Sequence, residues 1–408
     1  MQNGIARRVG DQIILPGIGT THSHAFQRAL RGRTQRRATH ADSFWSWRGL
    51  MYELANRLTP EDLYTISHFA FVELAMSGVS AVGEFHYVHH QPDGTPYDDR
   101  TLLSATVIRA ARDAGLRICL MRVAYERAGA GKPALAEQKR FCDARVEDAM
   151  GDTLSLSNAF RDDPLVRIGI APHSVRAVSR PWLETISSFV SHERSVYSMH
   201  VSEQRREIEE CVAEHGVRPI ELLDAAGALS AELIAVHATH LLPNEIELLG
   251  RARSFACVCR STERDLGDGA SVAAALVRAG ARLCTGVDSH AITDPFEEAR
   301  AIELDARSAS ESRHAVADSE GLLDALCSNA YAALHFDPAG DSVVLDATDA
   351  ALAGASDALL DDAVIFGASP RAVHSVTVGG REIVHGGVHE RYDDARVNYE
   401  KALKRLLG

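Results

Sequence analysis

The stretch LPGIGTTHSHAF (residues 15–26) decides how the rest of the chain is read. A short apolar run opens directly onto His22 and His24, two residues apart, so strand alternation turns both imidazoles to the same side. A pair placed like this can chelate one metal ion. Its position at the end of a strand is where barrel enzymes assemble their active sites. The run is therefore read as the first strand of a sheet, over residues 12–20.

Moving outward, seven more short apolar, β-branched runs follow, at 79–86, 116–124, 166–173, 195–202, 232–239, 253–260 and 281–288. Longer amphipathic stretches separate them, such as EDLYTISHFAFVELAMSG (61–78), LLSATVIRAARDAG (102–115) and SVAAALVRAG (271–280), each closing on a Gly suited to a helix C-cap. Strand–helix alternation of this kind predicts a parallel sheet, and eight repeats predict an α/β fold of the (β/α)8 TIM-barrel type. A doubly wound open sheet is the alternative, but no G-x-G-x-x-G turn follows an early strand. Beyond about residue 340 the texture changes to SVVLDATDA (342–350) and HSVTVGGREIVHGG (374–387), short strands with GG turns. The expected organisation is a barrel over 15–340, with residues 1–14 and 341–408 forming a small β-rich appendage that ends in a helix.

The composition excludes several classes of function. With 46% hydrophobic and 24% charged residues the 408-residue chain is an ordinary globular one. A formal charge of −13 without a long basic run argues against nucleic acid or an anionic membrane as the main partner. A local cluster of Arg remains compatible with an anionic small substrate. The 7 Cys are scattered through apolar runs such as FACVC (255–259) and read as reduced core residues. Cys257 and Cys259 share a strand face, with buried packing favoured over a metal pair. No signal-peptide core opens the chain, and a reducing cytoplasm is the expected location.

Polar residues gather at the predicted strand ends. YSMHVSE (197–203) puts His200 at the tip of strand five, AVHATH (235–240) puts His237 at strand six, and TGVDSH (285–290) puts Asp288 at strand eight. Three His nitrogens and one carboxylate oxygen make a suitable shell for Zn2+ or a similar borderline ion. One His at a strand end is commonly structural, so the weight lies on the constellation. Glu203, three residues after His200, is placed to serve as general acid/base. Strand four ends in IGIAPHS (168–174) without a Lys that could bridge two metals, which predicts a mononuclear site.

The blocks THSHAFQRALRG (21–32), DSFWSWRGLMY (42–52), GEFHYVHH (83–90), APHSVRAV (171–178), HVSEQRREIEEC (200–211), VHATH (236–240), STERDLGDG (261–269) and GVDSH (286–290) resemble, in order, those of the amidohydrolase superfamily and within it the formimidoylglutamate deiminases of histidine degradation. The resemblance implies one Zn2+ per chain, with Fe2+ or another divalent ion as the alternative, held by His22, His24, His200 and Asp288. It implies catalytic roles for Glu203, His237 and Asp288, substrate contacts from Gln27, Arg48, Tyr87, His173 and Arg176, and a homodimer. The residue chemistry agrees, since Arg48 and Arg176 offer bidentate clamps to the two carboxylates of such a substrate. Trp45 and Trp47 are read as packing residues. A ring-directed deaminase or halohydrolase of the same superfamily is the nearest rival reading, and a non-catalytic barrel scaffold the remote one. The chain departs from the family in a short N-terminal stretch before the His pair, and in Arg260, a charge expected near the pocket where it would alter substrate choice.

Overall fold

The computed structural model describes residues 4–36 and 44–408. Its strands are β1 (Arg7–Val9), β2 (Gln12–Pro16), β3 (Ile18–Ser23), β4 (Val79–His86), β5 (Arg117–Ala124), β6 (Val166–Pro172), β7 (Val196–Val201), β8 (Leu233–His237), β9 (Phe255–Val258), β10 (Arg282–Thr285), β11 (Ser342–Asp346), β12 (Val373–Val378), β13 (Arg381–His385) and β14 (Val388–His389). An eight-stranded parallel sheet runs in sequence order from β3 to β10. Its strands are buried on both faces, which is why they read as continuous apolar runs rather than alternating ones. The sheet closes on itself just past β10, where His24 N–H donates to the Asp288 carbonyl at 2.9 Å and Asp288 N–H donates to the His22 carbonyl at 3.0 Å. The fold is a TIM-type barrel with a second, antiparallel sheet of six strands, ordered β1-β2-β11-β12-β13-β14.

The expected strand over 12–20 is in fact two strands. Gln12–Pro16 pairs antiparallel with β1 and β11 in the small sheet, and Ile18–Ser23 starts the barrel. Pro16, which has no N–H to donate, sits at the changeover. Gly17 follows it because a Cβ there would lie 2.2 Å from the Tyr331 hydroxyl. The short N-terminal segment thus still supplies two strands to the small sheet. Other runs end earlier than their sequence suggests: β8 stops at His237, Arg260 opens a helix (Arg260–Leu266), and Asp288 lies beyond the end of β10.

Local signals set the helices. Pro60–Met76 begins with a capping box, in which Thr59 Oγ1 accepts from Asp62 N–H at 3.1 Å and Thr59 N–H donates to Asp62 Oδ2 at 3.1 Å. It ends before Gly78, whose φ of +101° favours glycine. The last helix, Tyr392–Leu407, packs on this barrel helix, with Tyr399 stacked on Phe69 at 4.4 Å between ring centroids. Among the described residues no helix is long and apolar enough to cross a membrane.

A buried ionic clamp joins the two sheets. Arg117 of β5 donates to both oxygens of Asp341 at 2.7 and 2.9 Å, and Tyr331 O–H and Gly379 N–H donate to the same carboxylate at 2.5 and 2.7 Å. Removing one partner strands the other charge in the interior. Asp341→Ala is expected to lower the unfolding free energy by about 3–5 kcal/mol, read from the urea midpoint, with Asp341→Asn in between.

Candidate active site

The residues singled out in the sequence come from distant parts of the chain and meet at the C-terminal mouth of the barrel. His24, Gln27, Arg48, Tyr87, His173, Arg176, His200, Glu203, His237 and Asp288 all line one cavity, and His22 lies beneath its floor. Asp42 and Ser43, which open the DSFWSWRGLMY block, fall outside the described residues.

The floor is a cluster of nitrogen and oxygen donors. His24 Nδ1 bonds the Phe85 carbonyl at 2.9 Å and His200 Nδ1 the His173 carbonyl at 3.1 Å, so each ring presents Nε2 to the centre. There His22 Nε2 and His200 Nε2 lie 3.1 Å apart, and Asp288 Oδ1 lies 3.4 Å from Nε2 of both His22 and His24. Burial lowers the pKa of all three imidazoles, that of His24 to about 3, which keeps them neutral with lone pairs free to ligate. Burial would raise the Asp288 carboxyl, but the His22 hydrogen bond and the nearby imidazoles bring it below its ordinary value. The ligating atoms of His22, His24 and His200 all fall within 4.8 Å of one another, the spacing of a metal centre. Close packing is needed for this, since a Cβ on Gly286 would lie 2.7 Å from both His22 Cβ and Cys259 Sγ.

Three turns aim the remaining groups. Ser202, His237 and Asp288 have φ of +51°, +68° and +50°, a left-handed conformation that costs a non-glycine residue on the order of 1 kcal/mol. Each stands where the chain leaves a barrel strand, and each turns a functional side chain over the mouth. His237 Nε2 lies 3.9 Å from Glu203 Oε1 and 3.8 Å from Asp288 Oδ2. Burial pushes the Glu203 carboxyl above its ordinary value, with His237 and Arg176 pulling against it. Burial alone would lower His237, but Glu203, Glu263 and Asp288 outweigh it and bring it up to about 10.

Opposite this floor the wall is cationic and aromatic. Arg48 Nη1, and Nε and Nη1 of Arg176, are buried with no hydrogen-bond partner among the described residues. The Arg48 guanidinium lies 4.5 Å from the centre of the Trp45 ring. Tyr87 O–H accepts from Gln27 Nε2 at 2.8 Å, leaving Gln27 Oε1 unpartnered. Trp47 lines the cavity instead of only packing its loop, together with Phe44, Met51 and Tyr52 of the helix Phe44–Arg57, and with Tyr125 and Phe141.

Arg260 does not reach the pocket. It is 4% exposed and neutralised by Glu263, at 2.8 Å, and by Asp305, at 2.6 Å, so it adds no free charge that could redirect substrate choice. Sequence reading missed two carboxylates. Glu263 faces His237 Nδ1 at 3.4 Å, and Glu84 accepts from Ser23 O–H at 2.6 Å and Ala25 N–H at 2.8 Å, bracing the loop that carries His24. Burial pushes Glu84 up to about 8. Both stand inside distinctive blocks, STERDLGDG and GEFHYVHH, and an acidic residue fixed in such a block was the available signal.

The model of the amidohydrolase family matches residues 13–383. A formimidoylglutamate deiminase from Pseudomonas aeruginosa is 34% identical over 417 aligned positions, covering 98% of this chain and 91% of its own. An 8-oxoguanine deaminase from the same species is 27% identical over 69% of this chain and 61% of its own. The crystal structure of an amidohydrolase from Brucella melitensis superposes with a TM-score of 0.90 at 30% identity, covering 99% of this chain and 96% of that one. With a family match over nearly the whole barrel and a relative aligned almost end to end, the chain belongs to the amidohydrolase family, and within it to the formimidoylglutamate deiminase family of hydrolases acting on C–N bonds.

Proposed function

We propose that the protein is a mononuclear zinc deiminase that converts N-formimino-L-glutamate and water to N-formyl-L-glutamate and ammonia, a step of histidine degradation. The observation that carries this reading is the pair of arginines at the cavity wall, half-buried Arg48 and buried Arg176, whose unpartnered N–H groups line the same cavity as the imidazole cluster. A substrate with two carboxylates at one end and an amidine-like carbon at the other matches that polarity.

The donor set fits a metal ion. His22, His24, His200 and Asp288 would hold it, three neutral imidazoles and a carboxylate being a usual shell for zinc. No Lys follows β6, where the chain reads Pro172–His173–Ser174, in keeping with one ion rather than two. When bound, the ion supplies a Lewis acid at the cavity floor. Every other task falls to the chain. Arg48 and Arg176 hold the carboxylates and so place the formimidoyl carbon above the floor. Gln27, Tyr87 and His173 fill the space between and fix the substrate's orientation. Water attacks the formimidoyl carbon. Glu203 takes the proton that water loses and delivers it to the terminal nitrogen. His237, facing both Glu203 and Asp288, positions the attacking oxygen. As the C–N bond breaks, the proton still on the attacking oxygen is relayed by Asp288 to the departing nitrogen, so that ammonia leaves and the formyl C=O forms.

The aromatic lining by Phe44, Trp47, Tyr52, Tyr125 and Phe141 favours one second reading, a deaminase that stacks a heterocyclic ring. Ammonia release from the zinc-loaded protein separates the two. Release is expected with N-formimino-L-glutamate and not with guanine, cytosine or N-formimino-glycine. Activity on a ring alone would discard the arginine reading.

Four variants probe the separate parts. Glu203→Gln is expected to lower kcat by about 10²–10⁴-fold with zinc content unchanged, and full activity would sink the assignment. Arg48→Met and Arg176→Met should each raise KM about 10- to 100-fold, because each removes a charge-assisted contact of about 1.5–3 kcal/mol. His24→Asn should reduce bound zinc well below one ion per chain by elemental analysis, with circular dichroism unchanged.

A further inference from the structure

His237 is held from behind as well as facing the cavity, and its rear contact has no role in the chemistry above. A neutral imidazole carries one proton, and the partner of one ring nitrogen decides what the other presents. On the cavity side, Nε2 stands 3.9 Å from Glu203 and 3.8 Å from Asp288, too far for a hydrogen bond. On the opposite side, Nδ1 meets Glu263 Oε1 at 3.4 Å, which is within reach. Glu263 is completely buried and does not line the cavity.

Glu263 is itself fixed. Its Oε1 accepts from Cys259 N–H at 2.9 Å and its Oε2 from Arg260 Nη1 at 2.8 Å. Arg260 is anchored in turn, donating to Asp305 Oδ2 at 2.6 and 2.9 Å and to the Gly269 carbonyl at 3.1 Å. A run of hydrogen-bonded groups therefore leads from the half-buried Asp305 through the buried Arg260 and Glu263 to the back of the His237 ring. All these groups but His237 belong to the chain from Cys259, just past β9, through the helix Pro295–Ser310.

We infer that Glu263 is a positioning residue: it accepts from Nδ1 of His237 on the side away from the cavity and so fixes the ring with Nε2 turned to the reacting atoms. Arg260 keeps Glu263 in place, which gives the buried arginine a purpose other than substrate choice. The inference rests on the reading of His237 as a catalytic group and does not depend on which substrate is turned over.

The test uses zinc-loaded protein labelled with ¹⁵N-histidine, with the His237 signals assigned by their loss in His237→Asn. The wild type should show a protonated Nδ1 whose ¹H signal is shifted downfield by its bond to Glu263. Glu263→Gln should remove that shift and lower kcat about 10- to 100-fold, the usual effect of removing a group that orients an active-site imidazole, with KM within twofold and zinc content unchanged. Glu263→Asp, which keeps a carboxylate, should retain the shift and recover part of kcat, and serves as the readout if the glutamine variant does not fold. An unchanged His237 spectrum in Glu263→Gln, or a loss in kcat that Glu263→Asp does not ease, overturns the inference. Because the spectrum needs no substrate, a wild type inactive on N-formimino-L-glutamate would defeat the substrate reading and leave this test standing.

Discussion

The exchange of backbone hydrogen bonds between His22, His24 and Asp288 is the constraint on which the rest depends. It joins the first barrel strand to the chain leaving the last one, and so turns a sheet into a barrel. The same three residues supply side chains to the donor cluster on the cavity floor. Closing the barrel and assembling the cluster are therefore one event. Neighbouring side chains hold the seam, with Thr21 O–H donating to the Thr285 carbonyl at 3.0 Å and Val287 N–H donating to Thr20 Oγ1 at 2.9 Å. A substitution that loosens this seam would disturb the ligating geometry before it touched a ligand.

Around the seam the protein sorts charge by depth. A chain with a net charge of −13 keeps two arginines with unsatisfied donors at the cavity wall and holds the three imidazoles of the floor neutral by burial. Arg260, by contrast, is consumed by Glu263 and Asp305. Two buried arginines of the same charge thus behave oppositely. What decides is whether a carboxylate stands within hydrogen-bond reach, and no inspection of residue type reveals that.

Much of the barrel was legible because strands buried on both faces must be apolar throughout, a pattern that survives in β4 to β7 almost residue for residue. The first strand misled because IILPGIGT is apolar across a change of sheet, and only Pro16–Gly17 marks the break. The HxH pair and the strand-end His and Asp were legible as a set, since their chemistry is uncommon at five matched positions. Glu84 and Glu263 were not. Glu263 looks in sequence like any acidic residue near a helix start and Glu84 like a lone charge in an apolar strand, and only the fold shows that one faces the His237 ring and the other the turn that carries His24.

The helix Tyr392–Leu407 reaches back across the chain to the turn that follows the His pair. Tyr399 O–H donates to the Arg28 carbonyl at 3.0 Å and accepts from Arg28 Nη1 at 3.1 Å, and Arg28 shares the short helix Ala25–Leu30 with Gln27. On a ribosome, residues near position 28 emerge hundreds of residues before their brace does. The mouth of the barrel must therefore wait, half-supported, until synthesis is nearly done, and a nascent chain released early would carry its ligands without the strut that steadies them.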